Sequence, residues 1–151
     1  MTDMASAGGA AQVGESEIIR LEVPASTEHL RLVRLLVSSV ATSHGADLND
    51  LEDLRLAAGE VCAHAIGAST PLDRLSVSAA VSAGVDAEPM LVLRATVSAD
   101  RDPGPLDELS SMVLDAASDR HGVDVDVDGS DVSVWFSRTV SSAGPADQPV
   151  D

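Results

Sequence analysis

Aromatic side chains are almost absent from this chain of 151 residues, which has one Trp, one Phe and no Tyr. Proteins that bind single-stranded nucleic acid depend on stacking bases against aromatic rings, so this mode of binding is not expected. The hydrophobic content is nevertheless 44%, which is enough for a chain of this length to form a core. That core is expected to consist of Leu, Val, Ile and Ala side chains.

Cysteine is equally scarce, because Cys62 is the only one in the chain. A disulfide within the chain is therefore impossible, and a metal site built on paired cysteines is not expected. The N-terminal segment lacks the basic region and apolar run of a signal peptide. No stretch approaches the roughly 18 consecutive apolar residues that a transmembrane helix needs. These absences predict a cytoplasmic protein in a reducing compartment, without contact with a membrane.

Positive charge is the third deficit: nine Lys and Arg residues stand against 25 Asp and Glu, a formal net charge of −16. A field of this sign disfavours polyphosphate partners, and nucleic acids in particular. A basic protein partner is compatible with the acidic surface, and so is an acidic surface that serves solubility alone. Composition by itself leaves these two interpretations open.

The remaining residues predict one folded domain over 16–140, flanked by polar, small-residue tails at 1–15 and 141–151 that are expected to be disordered. Changes between helical and strand periodicity give the order strand, helix, helix, strand, strand, helix, strand, strand. The first helix has an apolar stripe: Leu30, Val33, Val37 and Val40. This order predicts an α/β fold, a two-layer α/β sandwich with a mixed β-sheet and the helices on one face.

The last helix and the final hairpin have the most explicit local signals. The helix is predicted over 105–122, with Leu106, Leu109 and Val113 on its apolar face and Gly122 as its C-cap. The Asp-Gly pair that follows indicates a hairpin. The hairpin is predicted to pair three valines with three apolar residues, namely Val123, Val125 and Val127 with Val132, Val134 and Phe136.

The second predicted helix carries a carboxylate and an imidazole, at Glu60 and His64. Four residues make about one helical turn, so both side chains lie on the same face. The other histidines do not form a metal-binding pattern with His64. The Asp-rich hairpin lacks the acid that a calcium-binding loop has at its last position, so calcium is not expected there. For Ser110 and Ser137 the sequence identifies no adjacent base.

Two stretches, LEVPASTEHLRLVRLLVSSVA and LEDLRLAAGEVCAHAI, resemble the anti-sigma-factor serine/threonine kinases of the histidine-kinase-like (GHKL) ATPase superfamily. The resemblance covers residues 17–100 and continues more loosely to residue 139. It implies the two-layer fold named above, with ATP and magnesium bound beside the second helix. The partners it implies are a sigma factor and a STAS-type anti-anti-sigma protein, and a homodimer is possible.

The resemblance also assigns roles to single residues. In the family's helix motif a Glu is the proposed general base and an Asn four residues later holds magnesium, which makes Glu60 the base and puts His64 at the Asn position. Magnesium prefers oxygen ligands, so an imidazole is a poor substitute. Asp100 matches the adenine-binding Asp of the family's Asp-x-Gly-x-Gly motif, but Asp102 stands at its first glycine, and Gly104 follows between two prolines.

The family's flexible lid over the phosphates has no counterpart, because the chain passes directly into a helix that opens with Asp107 and Glu108. Acidic side chains at a helix N-terminus repel phosphate. We therefore expect a degenerate member that binds no cofactor: Glu60 is a vestigial base, and His64, Asp100 and Gly104 are degenerate nucleotide positions. The alternatives are a divergent kinase that still binds ATP and phosphorylates a STAS protein, and a dimerisation scaffold without a sigma partner.

Candidate contacts with a protein partner are placed on the first strand and first helix, residues 17–40. The polar face of that helix carries four candidate side chains: Glu28, Arg31, Arg34 and Ser38.

Overall fold

The structure, a computed structural model, describes residues 16–70, 72–82, 88–98 and 103–140. The expected tails and Asp100 lie outside these ranges. The elements follow the predicted order: β1 Ser16–Pro24, α1 Leu30–Thr42, α2 Leu48–Ile66, β2 Arg74–Ser82, β3 Met90–Ser98, α3 Glu108–Ala117, β4 Arg120–Val125 and β5 Asp131–Thr139. A single 3₁₀ turn over Thr27–His29 leads into α1. No helix among the described residues is long and apolar enough to cross a membrane.

The five strands form one sheet in the order β1-β2-β3-β5-β4. The α/β class is confirmed, but the expected mixed sheet is wrong, because every neighbouring pair is antiparallel. Two helices separate β1 from β2, so the chain has reversed its direction when β2 begins. The chain runs from β3 through α3 to β4, and β3 and β4 would form a parallel pair if they were neighbours in the sheet. Instead β5 lies between β3 and β4 and is antiparallel to both.

The core lies between the sheet and the helices and is almost entirely aliphatic. Along β2 and β3 every second residue is buried, which places one face of each strand against the helices. The predicted α1 stripe is buried as well, and Phe136 is the largest fully buried side chain. The helices contact β2, β3 and β5. Burial of one sheet face therefore fixes the position of α2, the helix that carries Glu60 and His64.

A capping box and an ion pair anchor α2. Asp47 caps the helix and accepts a hydrogen bond from the Asp50 backbone N–H over 2.8 Å, and the Asp50 side chain accepts in return from the Asp47 N–H. Asp50 is buried, with 3% of its surface exposed. The guanidinium of Arg138 on β5 donates to Asp50 over 2.8 Å and lies 3.1 Å from Asp53. The N-terminal half of α2 is thereby fastened to the sheet.

Two predictions for α3 are wrong. The helix ends at Ala117, and Gly122 lies in β4 rather than at a helix C-cap. Leu109 is 70% exposed, whereas Leu114 and Ala117 are buried. Gly122 has a tertiary role instead, because a Cβ there would lie 2.9 Å from the Trp135 ring. Glycine is therefore required at position 122 because the Trp135 ring of the neighbouring strand packs against it, and not because a helix ends there.

The final hairpin is confirmed, with one correction. Val125 faces Val132 and Val123 faces Val134, as expected. Val127 pairs with nothing in the ladder, since it is fully exposed in the turn. The turn needs the left-handed conformation of Gly129, whose φ is 75°. The predicted strand alternation therefore stops at Val125.

Candidate functional site

The candidate site is the outward face of α2 where Glu60 and His64 lie one turn apart. Both side chains are half-buried. The helix α3 and the segment leading into it lie against this face, since α2 and α3 are in contact. Two hydrogen bonds join these parts of the chain, one to each of the two side chains.

The first hydrogen bond is donated by the Ser110 hydroxyl to Glu60 Oε1 over 2.9 Å. Ser110 lies in the first turn of α3, 50 residues from Glu60 in the chain. The sequence identifies no base adjacent to Ser110, and the structure places the Glu60 carboxylate beside it. No local pattern reveals the contact, which depends on how α3 packs against α2.

The second hydrogen bond joins His64 Nε2 to the backbone carbonyl oxygen of Gly104 over 3.0 Å. A carbonyl oxygen only accepts, so Nε2 must carry the hydrogen and donate it. A nitrogen that donates in this way has no lone pair for a metal. Gly104 itself adopts a left-handed conformation with φ 73°, which favours glycine at this position.

The N-terminus of α3 is capped by Asp107, which accepts the Ser110 backbone N–H over 2.7 Å. The hydrogen bond from the Ser110 backbone N–H is the largest of the effects that lower the pKa of Asp107 below its usual 3.8. The carboxylate is thus held ionised beside Glu60 and His64. This helix start presents negative charge rather than free amide groups.

The structure thus brings together Glu60, His64 and Gly104, and it adds Ser110 and Asp107. Asp100 lies outside the described residues, so its place relative to this face is not defined. Within the described ranges no group of three or more His, Cys, Asp or Glu residues is arranged to hold a metal ion. Cys62 faces the core from the same helix, and burial raises its pKa to about 12. Its thiol is therefore not a nucleophile at neutral pH.

Replacing Asp107 by alanine is expected to lower Tm by about 3 °C at pH 7, because the α3 N-cap is lost. The folded-state pKa is depressed, so this contribution is present above pH 3.8 and disappears as pH falls through that lower pKa. The difference in Tm between the unchanged protein and Asp107→Ala should therefore become smaller in acid. Thermal denaturation between pH 7 and pH 2.5 measures this difference. Asp107→Asn is the control, since Asn also caps but does not titrate; equal narrowing in both variants would contradict the assignment.

The candidate partner surface on α1 contains two kinds of side chain. Glu28 and Arg31 are exposed, and neither packs on another helix. The Arg34 guanidinium lies over α2, with Nη2 only 2.8 Å from where a Gly59 Cβ would be. The Ser38 hydroxyl is buried and has no hydrogen-bond partner. Glu28, Arg31 and Arg34 are therefore the three of the four that are exposed to a partner.

Comparison with curated proteins finds several bacterial relatives, all described as serine-protein kinase RsbW, while no family model matches. The protein of Bacillus velezensis is 38% identical over 50 residues, which are 33% of this chain and 31% of the relative. The protein of Bacillus licheniformis is 30% identical over 70 residues, which are 46% of this chain and 44% of the relative. The protein of Bacillus subtilis is 35% identical over 51 residues, which are 34% of this chain and 32% of the relative. The chain thus spans less than half the length of each relative.

Among solved structures, the chain is similar to the crystal structure of the RsbU and RsbW domains of Rv1364c from Mycobacterium tuberculosis. The superposition has a TM-score of 0.61 at 18% sequence identity, and it covers 85% of this chain and 34% of that one. At this identity the similarity establishes the fold. It extends over most of the chain.

Proposed function

We propose that this protein is a regulator that binds a sigma factor, a STAS-type anti-anti-sigma protein, or both. The proposal is supported by its similarity to the serine kinases that act as anti-sigma factors. We further propose that it does so without ATP chemistry. The hydrogen bonding of Glu60 and His64 to their own chain is the observation that supports this second part. Protein binding uses exposed surface, so it does not require the nucleotide site.

The residues present are a poor fit for magnesium and a triphosphate. Magnesium needs oxygen ligands in a near-octahedral arrangement, and His64 offers an imidazole whose Nε2 donates to Gly104 over 3.0 Å. The Glu60 carboxylate already accepts a hydrogen bond from Ser110 over 2.9 Å. Phosphoryl transfer depends on positioning phosphates and metal, and little chemistry remains when those positions are missing.

Electrostatics favours the same proposal. Phosphate groups bind well at helix N-termini whose amides are free. At α3 the Ser110 N–H is instead bound to Asp107, and Glu108 adds a second negative charge in the first turn. A triphosphate approaching α2 from this side would meet these carboxylates in a protein of net charge −16.

The partner surface is proposed on β1 and α1, over residues 17–40, with Glu28, Arg31 and Arg34 among its exposed charges. Charged residues at an interface mainly steer association and select the partner. Charge reversal at one of them therefore weakens binding without unfolding the protein, provided that the residue is exposed as Arg31 is.

The proposal is tested by titrating the purified chain against the sigma factors and STAS proteins of its host by calorimetry. We expect saturable binding to at least one of them, with Arg31→Glu weakening it at least tenfold. Arg120→Glu is the matched control, because Arg120 lies on β4, away from α1, and it should leave affinity unchanged. Failure of every sigma factor and STAS protein to bind would contradict the proposal.

A divergent kinase remains the second candidate, and the Glu60–Ser110 contact favours it. A carboxylate that accepts a hydroxyl hydrogen over 2.9 Å has the geometry of a general base beside an acceptor serine. Mass spectrometry after incubation with Mg-ATP and a host STAS protein distinguishes the two. Phosphorylation of that protein, or of Ser110, would establish the kinase, and unmodified serines are expected under the first proposal.

A further inference from the structure

The opposite face of the sheet, which we term the outer face, is not covered by a helix in the part of the chain that the structure describes. The strand register aligns five residues in one row across it. Arg20 on β1 faces Ser78 on β2, and Ser78 faces Arg94 on β3. Arg94 in turn faces Trp135 on β5, which faces Gly122 on β4. The row contains two guanidinium groups and the only Trp of the chain.

One end of this row is a packed platform. The Trp135 ring lies against Gly122, where a Cβ would come within 2.9 Å of it. The Arg94 guanidinium lies over the ring, 5.9 Å from its centroid. Arg94 Nη1 also donates to Asp124 over 3.0 Å. These contacts hold the Arg94 head group in place while its other N–H donors remain available.

A cavity of about 420 Å³ lies next to the platform, and both arginines of the row line it. Its volume falls within the usual range of roughly 300–1,000 Å³ for small-molecule sites. Ser76, Ser78 and Thr96 bring hydroxyl groups to its floor. Because Ser78 is small, a gap separates Arg20 from Arg94 across β2, a distance of about two strand spacings, roughly 10 Å between backbones.

The charges around the cavity are unusual for this protein. Arg20 forms no ion pair or hydrogen bond with any described residue. By the strand register the outer face carries one more arginine than acids, with Arg20, Arg74, Arg94 and Arg120 against Glu22, Asp124 and Asp131. The whole chain, by contrast, has a formal net charge of −16. The charged residues that line the cavity are Arg20, Arg94 and Glu22, so two guanidinium groups accompany one carboxylate. The Glu22 carboxylate lies 3.5 Å from Arg74, which balances its charge.

We propose that this cavity binds a compact organic anion with at least two negative charges, a phosphate monoester or a di- or tricarboxylate. Guanidinium groups form paired hydrogen bonds with phosphate and carboxylate oxygens. Arg20 and Arg94 would hold the anion from its two sides, and the hydroxyl of Ser78 would donate to it from below. The site lies on the opposite side of the sheet from Glu60 and His64. Its argument does not rest on the proposed regulatory role, although Arg20 falls within residues 17–40, the proposed partner surface.

Trp135 makes the proposal directly measurable, because all tryptophan fluorescence comes from the ring beside the cavity. The full chain is titrated with inorganic phosphate, glycerol phosphate or citrate at constant ionic strength, with sodium chloride as the reference. We expect a saturable change with at least one of the three and none with chloride. Response to phosphate and glycerol phosphate alone identifies a phosphate site, and response to citrate alone identifies a carboxylate site.

Arg20→Gln should weaken the response at least tenfold, while Arg55→Gln, a matched change at an exposed arginine on α2, should leave it unchanged. Arg20 is exposed and loses no ion pair or hydrogen bond to the part of the chain that the structure describes, so the variant is expected to fold normally. Overturning results are a lack of saturation with all three anions up to about 10 mM, or equal affinity in Arg20→Gln. Sedimentation at the same concentrations provides a further test: a fluorescence change that follows dimerisation instead of anion concentration would assign the face to a second copy and contradict the proposal.

Discussion

Replacing Arg138 by methionine is expected to lower the free energy of unfolding by about 3 kcal/mol, since the buried Asp50 carboxylate then loses the positive charge that lies against it. Arg138 Nη2 lies 2.8 Å from Asp50 and 3.1 Å from Asp53, and Asp50 is only 3% exposed. Methionine retains most of the apolar stem, so the loss reports on the charge. Urea denaturation followed by circular dichroism gives the difference directly.

Two variants distinguish this explanation from a simple packing defect. Asp53→Asn should cost under about 1 kcal/mol, because the Asp53 side chain is 38% exposed and water replaces the lost interaction. Combining Arg138→Met with Asp50→Asn should recover part of the stability, since the buried negative charge that Arg138 balances is then gone. Additive losses in the double variant would contradict the ion-pair explanation.

Replacing Phe136 by alanine is expected to lower the free energy of unfolding by about 4 kcal/mol. Phe136 is the only Phe of the chain and is fully buried on β5. Its neighbours are aliphatic and held by the sheet, so they relax little around the space that the missing ring leaves. The same urea experiment measures the loss.

Phe136→Leu is the matched variant, because it keeps a branched apolar side chain of smaller volume. We expect it to cost about 1.5 kcal/mol. A similar small loss for alanine would mean that the core collapses around the site. That result would contradict the inference that a core with so few rings depends on this one.

The fold was predictable where local periodicity and tertiary packing agree. The α1 stripe is buried as its spacing indicates, and the Asp-Gly pair does form the turn of a hairpin. Gly122 was misassigned because glycine serves both as a helix cap and as a place of close approach, and only the tertiary contact with Trp135 decides between them. The mixed sheet was wrong for a similar reason: strand order is a non-local property.

The candidate site was predictable in part. Helical spacing alone places Glu60 and His64 on one face. Their hydrogen-bond partners, Ser110 and Gly104, are 50 and 40 residues away in the chain, and no spacing rule connects them. Asp107 was recognised as an acid at a helix start, but not as the cap that orients Ser110. The candidate side chains could therefore be found from the sequence. The hydrogen bonds of Glu60 and His64 to α3 and the segment before it could be found only from the structure.

The most direct test of the proposed function is calorimetric titration of the full chain with ATP and ADP, with and without magnesium. The hydrogen bonds on Glu60 and His64 and the acids at the start of α3 predict no saturable heat at millimolar nucleotide. Partner binding should then be unchanged by either nucleotide. Micromolar, magnesium-dependent binding would contradict the proposal, because it would require the 104–110 segment to leave α2 and a phosphate site to form there.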